Sequence, residues 1–195
     1  YSISPEDKLE HTGLGLSLVN VVLETAGEAL ALMPNIVALL ASDLCKYLLQ
    51  NSQTESLGVL SLTLRVVFNL FNSLKNHLKV QLEVFFTSVH LRIAATPIST
   101  LRSAEQKELA LESLLEFCRE PALMLDLYAN YDTDVHCTNL FETLLQALAR
   151  NTSPESALNQ RAGAPLNSLN VLALEGLLAI VSSIARRCVF ESELV

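Results

Sequence analysis

The sequence has no tryptophan, only four cysteines, and few residues that break helices, with six glycines and six prolines in 195 positions. Aromatics make up 6% of the chain. Segments rich in Leu and Ala and poor in Gly and Pro favour helices over strands, and no stretch of period-two alternation competes. Basic charge is also scarce. Thirteen Lys and Arg stand against 21 Asp and Glu, for a net charge of −8 and a pI near 5.0. Phosphate backbones need a basic stripe, and anionic lipid surfaces need a basic cluster. Neither is present, so nucleic acid is excluded as a partner and general attraction to acidic lipid is disfavoured.

Chemistry is equally sparse. Cys45, Cys118, Cys137 and Cys188 form no CxxC pair, and each sits in or beside an apolar helical stretch. That pattern reads as reduced, buried thiols of a cytosolic protein. His136-Cys137 lacks a second ligand pair, so no metal is expected. The remaining histidines, His11, His77 and His90, accompany no GxSxG elbow. Gly13-Leu14-Gly15 follows no strand and precedes no Gly-Lys-Ser/Thr, so it is not a phosphate loop. Glu105, Glu108, Glu112 and Glu116 read as a solvated helix face. No catalytic residue, cofactor or metal is expected, and an enzyme is the least supported class.

What is abundant is apolar: 50% of residues belong to the hydrophobic set, enough for a sizeable core. Ser4-Pro5-Glu6-Asp7 is a helix start, followed by Leu14, Leu18, Val21 and Val22 on one face. Pro34 forces a break near 32–35. A second helix runs to about Asn51. Thr54-Glu55 opens a third, whose stripe Leu57, Leu60, Leu64, Val67, Phe68, Phe71, Leu74 and Leu78 is the clearest in the chain. Asn72 to His77 marks a bend, and Val80 to Ile93 continues. Ser103-Ala104-Glu105-Gln106 reads as a capping box, with Leu111, Leu114, Leu115 and Cys118 inward behind it. Glu120-Pro121 interrupts, and a short helix reaches Ala129. Helices from Thr138 to Arg150 and from Leu166 to Arg187 complete the set, with 151–165 the longest loop. Two apolar stretches, Ala26 to Cys45 and Val171 to Ala185, carry charges or fall short of a membrane span and read as core helices. Asn151-Thr152-Ser153 matches a glycosylation sequon that a cytosolic protein leaves unused.

Helices grouped as about 4–50, 55–94, 103–130 and 138–188 approach the 40–47-residue rhythm of HEAT and armadillo arrays, although the third group is short for it and the groups are not self-similar, so the rhythm is architectural and not a detected repeat. The expected fold is therefore all-α, a right-handed armadillo/HEAT-like stack of helix pairs forming one domain over 1–195. Stacked pairs expose long lateral surfaces suited to partners. One segment stands apart. Asn130-Tyr131-Asp132-Thr133-Asp134 places two acids and a tyrosine in a polar loop between apolar helices. It is either a capping loop, with Asp and Asn on free amides and Tyr131 on the core, or a docking epitope held by the scaffold.

This loop carries a family resemblance. Leu127-Tyr128-Ala129-Asn130-Tyr131-Asp132-Thr133-Asp134 with Asn139-Leu140-Phe141-Glu142 resembles the HUS box, "Y-x-N-Y-D-C-D…N-L-F-E", of the large Sec7-type Arf guanine-nucleotide exchange factors. Thr133 stands where the family has Cys, so any role of that thiol is absent. Leu64-Arg65-Val66-Val67-Phe68-Asn69-Leu70-Phe71 and His77-Leu78-Lys79-Val80-Gln81-Leu82-Glu83 resemble "LRV-x-F-x-LF…HLK-x-Q-x-E" of the same region. Gly15-Leu16-Ser17-Leu18, Leu23-Glu24-Thr25-Ala26 and Asp43-Leu44-Cys45-Lys46 also agree. Together they favour the Golgi-specific brefeldin-resistance branch over the trans-Golgi branch, across most of 13–188.

The resemblance implies a helical, armadillo-like HUS region lying between an N-terminal dimerisation and cyclophilin-binding (DCB) domain and the catalytic Sec7 domain. It implies binding to the DCB domain of the same or a second chain, and control of membrane recruitment and Arf activation. It implies a cytosolic module that associates peripherally with Golgi and ER–Golgi intermediate membranes, with Arf or Rab small GTPases as further candidate partners. Exchange itself would need the Sec7 domain, so this segment is not expected to catalyse it. Asn130, Tyr131, Asp132 and Asp134, within a box at about 127–142, are the candidate partner-binding residues. The opening Tyr1-Ser2-Ile3-Ser4-Pro5, without Met, reads as a piece of something longer. The competing reading is a generic helical-repeat scaffold of a trafficking complex unrelated to Arf.

Overall fold

A computed structural model describes residues 4–153 and 167–192. The fold class is the expected one, all-α with packed helices of the solenoid type, and no strand occurs among the described residues. In chain order the helices are α1 (Pro5–Ala31), α2 (Pro34–Leu39), α3 (Cys45–Asn51), α4 (Leu57–Leu74), α5 (Lys79–Phe85), α6 (Arg92–Ala95), α7 (Leu101–Arg119), α8 (Pro121–Leu127), α9 (Leu140–Thr152) and α10 (Ser168–Ser192). Three π-helical turns, Leu40–Leu44, Phe86–Leu91 and Tyr128–Asp132, continue α2, α5 and α8. The chain divides into two compact units between Val89 and His90.

Local signals set the helix ends. Ser4 Oγ accepts from the Asp7 amide at 3.1 Å, with Pro5 in the first turn of α1. Ser56 caps α4, two residues later than the expected opening, because Thr54 is occupied in accepting from the Ser56 amide. The capping box of α7 lies earlier than expected. Thr100 is the cap and Ser103 its reciprocal partner, with Ser103 N–Thr100 Oγ1 at 3.1 Å and Thr100 N–Ser103 Oγ at 2.9 Å. Ser103 can play either part in such a box, and tertiary placement gave Thr100 the start.

In the first unit α1 packs on α4, and the α4 stripe is the core: Leu60, Leu64, Val67, Phe71 and Leu74 are buried, with Phe71 edge-on to Phe86 at 5.8 Å. The face that the sequence spacing marks on α1 is not the buried one. Leu14, Leu18, Val21 and Val22 are about half exposed or more, while Leu16, Asn20 and Leu23 are buried. Periodicity marks both faces of this helix as apolar and cannot choose between them.

In the second unit α10 packs on α7, α8 and α9. Leu111, Leu114, Phe117, Cys118, Leu144, Leu148 and Ala173 close the core. His90 is buried there, 3.2 Å from Ser113 Oγ and edge-on to Phe117 at 5.6 Å, a structural histidine. Lys107, one residue from the expected solvated face, is also buried, with Nζ donating to the Thr96 carbonyl at 3.3 Å. Glu112 and Glu116 are exposed, whereas Glu105 and Glu108 are half-buried. Asn151 is a correction. It lies in the last turn of α9 inside the core, its amide donating to Ala147 O at 2.7 Å and Ala94 O at 3.1 Å. The sequon asparagine is therefore inaccessible. The rest of the expected 151–165 loop, from residue 154, lies outside the described residues.

By length and composition alone, three helical stretches among the described residues could cross a membrane: 6–31, 57–74 and 168–187. Neither of the first two is among the apolar stretches that the sequence singles out, and the third is longer than the expected Val171 to Ala185. The stretch Ala26 to Cys45 is not one helix, since it breaks between α1 and α2. More than half of the 57–74 window is buried inside the protein, which accounts for its apolarity.

Candidate functional site

Pro121 starts α8 after Glu120, and Leu123, Met124 and Leu127 bury its inner face. The next residues do not leave as the expected loop. Tyr128–Asp132 winds on as a π-helical turn, with Thr133 N donating to Tyr128 O at 3.2 Å. Thr133 Oγ1 closes the same turn on Ala129 O at 2.7 Å. Continuing the helix by one wide turn satisfies backbone groups that a polar loop would leave to side chains.

That turn aims the candidate residues in different directions. Tyr131 points inward and is 4% exposed. Asp132 reaches the first turn of α9: its Oδ2 accepts from Phe141 N at 2.8 Å and its Oδ1 from Glu142 N at 3.0 Å. Asn139, the N-cap of α9 by position, makes no side-chain cap bond, and its amide instead donates to Glu142 Oε2 at 3.1 Å. Asp132 thus supplies, from nine residues upstream, the cap that α9 lacks locally, and its charge faces the positive helix end. Asp134 turns back on its own segment, accepting from His136 N at 3.0 Å and from the Cys137 thiol at 3.5 Å. Asn130 is exposed.

The geometry thus separates the four candidates. Tyr131, Asp132 and Asp134 hold the segment together, and Asn130 faces out. Two outward residues escaped the sequence reading. Val135 is 92% exposed, and Tyr128 is about half exposed, edge-on to Phe141 at 6.1 Å. An apolar residue inside a polar run was the available signal for Val135.

Among the described residues no group of three or more His, Cys, Asp or Glu could hold a metal. Burial pushes the Cys45 thiol up to about 11 and the Cys118 thiol up to about 12, which suppresses the reactive thiolate. Cys137 is half-buried. His11, His77 and His136 are exposed.

A family model described as Mon2/Sec7/BIG1-like, HUS domain, matches residues 3–140. The chain belongs to this HUS-domain family. The matched region is the HUS domain and not the Sec7 catalytic domain. Among its relatives is the ARF guanine-nucleotide exchange factor GNOM of Arabidopsis thaliana, 33% identical over 195 residues, covering 92% of this chain and 13% of the relative. A Golgi-specific brefeldin A-resistance guanine nucleotide exchange factor 1 homolog of Caenorhabditis elegans is 36% identical over 178 residues, covering 90% of this chain and 9% of the relative. Brefeldin A-inhibited guanine nucleotide-exchange protein 1 of Rattus norvegicus is 31% identical over 137 residues, covering 70% and 7%. This HUS domain therefore spans about a tenth of the length of the relatives it matches.

Proposed function

We propose that this HUS domain is the non-catalytic regulatory and docking module of a large Arf guanine-nucleotide exchange factor of the Golgi-specific brefeldin-resistance branch. The single observation that carries the reading is its likeness, over about nine tenths of its length, to GNOM and to the Golgi-specific brefeldin A-resistance homolog, both named as exchange factors. The shorter, 70% coverage against the brefeldin A-inhibited exchange protein favours that branch. The module binds the DCB domain of the same or a second chain and, through it, governs recruitment to Golgi membranes and activation of Arf. Arf or Rab small GTPases are secondary partners. Within the 127–142 segment, Asp132, Tyr131 and Asp134 organise the turn, and Tyr128, Asn130 and Val135 present the contact surface.

A pull-down of the DCB domain by this chain tests the proposal. Asn130→Ala with Val135→Asp should weaken capture while the melting temperature stays unchanged, because both side chains are exposed. Asp132→Ala should weaken capture only in step with its loss of thermal stability. Wild-type protein that fails to capture the DCB domain overturns the docking function. Capture unaffected by the exposed pair removes the 127–142 segment from the interface.

A further inference from the structure

Helix α1 presents two apolar faces, and the less apolar one is turned inward. Gly13, Leu16, Asn20, Leu23 and Gly27 recur at steps of three and four and lie toward α4. Leu14, Leu18, Val21 and Thr25 recur at similar steps on roughly the opposite side and are exposed. Burial of apolar surface alone would turn the second face inward.

The contacts across α1 and α4 advance together. A Cβ on Gly13 would lie 3.9 Å from Leu62 Cδ1, Asn20 meets Asn69, and Gly27 abuts Ser73. The two helices therefore run in the same direction, with asparagine facing asparagine between the two glycine contacts. Asn69 Nδ2 donates to Asn20 Oδ1 at 3.0 Å, and both residues are at least nine-tenths buried. Asn69 also reaches Glu24 Oε1 at 3.4 Å, which accepts from Arg65 Nε at 3.1 Å and Nη2 at 3.0 Å. The Asn20 amide nitrogen is buried with no partner. Such a pair is a poor choice for stability. Its use is to penalise every arrangement in which the two amides do not meet. A one-heptad slip sets Asn20 against Leu62 or carries it past Leu74, where α4 ends. Rolling α1 to its other face leaves Asn69 buried opposite aliphatic side chains.

We infer that the Asn20–Asn69 pair, braced by Glu24 and Arg65, selects the register and the inward face of α1 on α4. It thereby keeps Leu14, Leu18, Val21 and Val22 at the surface.

The test is Asn20→Leu/Asn69→Leu in the 195-residue chain, followed by thermal circular dichroism and amide NMR. The double variant should melt no lower than wild type. Its α1 amides should split into more than one set, with the Gly13–Leu62 nuclear Overhauser contact falling by about half or more as other registers populate. Asn20→Leu alone should melt lower, since it takes the 3.0 Å acceptor from buried Asn69 and leaves it only the longer 3.4 Å bond to Glu24. The smaller Asn20→Val/Asn69→Val pair repeats the test without added bulk. A single signal set with the contact intact overturns the inference. So does unfolding of both double variants, since the reading requires the apolar pairs to be at least as stable.

Discussion

Removing the Asp132 carboxylate tests whether α9 is capped from outside its own sequence. Asp132→Ala deletes two acceptors at once, leaving Phe141 N and Glu142 N, in the first turn of α9, without their partners at 2.8 and 3.0 Å. A lost N-cap costs about 1 kcal/mol, with a range of roughly 0.5–2. Removing the negative charge from the positive helix end adds about 0.3–1 kcal/mol. Because Phe141 N is part-buried, water replaces the lost acceptor poorly, which places the sum near 2 kcal/mol. In a chain of this size that is a fall in melting temperature of about 4–8 °C. Asp132→Asn keeps one acceptor oxygen and loses the charge, so it should fall between wild type and alanine. Thermal circular dichroism measures the shift, and hydrogen exchange locates it. The Phe141 and Glu142 amides should exchange faster in the alanine variant, with the α4 amides unchanged. A melting temperature within a degree of wild type, with both amides still protected, would refute the capping assignment.

Three further predictions concern burial and close approach. With thiols raised from 9.0 to about 11 and about 12, Cys45 and Cys118 should carry about a hundredfold less thiolate, or lower, than unperturbed thiols near pH 8. A thiol reagent should then label the half-buried Cys137 well before them, and equal rates in the native state would contradict the burial. Since the folded pKa values lie above the unfolded one, the stabilising contribution of the neutral thiols is complete below about pH 9. It is lost as pH rises from there toward 11–12, so the thiols' share of the stability should decline in thermal melts from about pH 9 upward. Gly27→Ala would ordinarily strengthen a helix, but its new Cβ would sit 2.6 Å from Ser73 Cβ. We expect destabilisation of about 1–3 kcal/mol, largely reversed by Ser73→Gly, with both read as melting temperatures. A stable Gly27→Ala protein would mean that α1 and α4 do not approach this closely.

Much of the fold was legible because helix signals are local. Ser4-Pro5, Pro34 and Glu120-Pro121 mark helix ends through backbone restrictions that act within a few residues, and the α4 stripe repeats often enough to declare its buried face. The family could be read from the segment 127–142 for a similar reason, since its residues are contiguous. Its geometry could not. Asp132 acts on an amide nine positions away, and nothing in Asn-Tyr-Asp-Thr-Asp says that the chain continues as a wide turn that brings the carboxylate there. Asn151 reads as a loop residue for the same kind of reason: its partner Ala94 is 57 positions distant.

The sequence by itself determined helix content, most helix boundaries, the poverty of catalytic and basic groups, and the family. These depend on short-range backbone preference, composition and contiguous motif. Only the tertiary structure decided which face of α1 turns inward, which residue caps α9, and which of the four box residues reach solvent. In each case the local options are nearly equal in energy. The choice belongs to partners far away in sequence: Asn69 for Asn20, the α9 amides for Asp132, and the core for Tyr131.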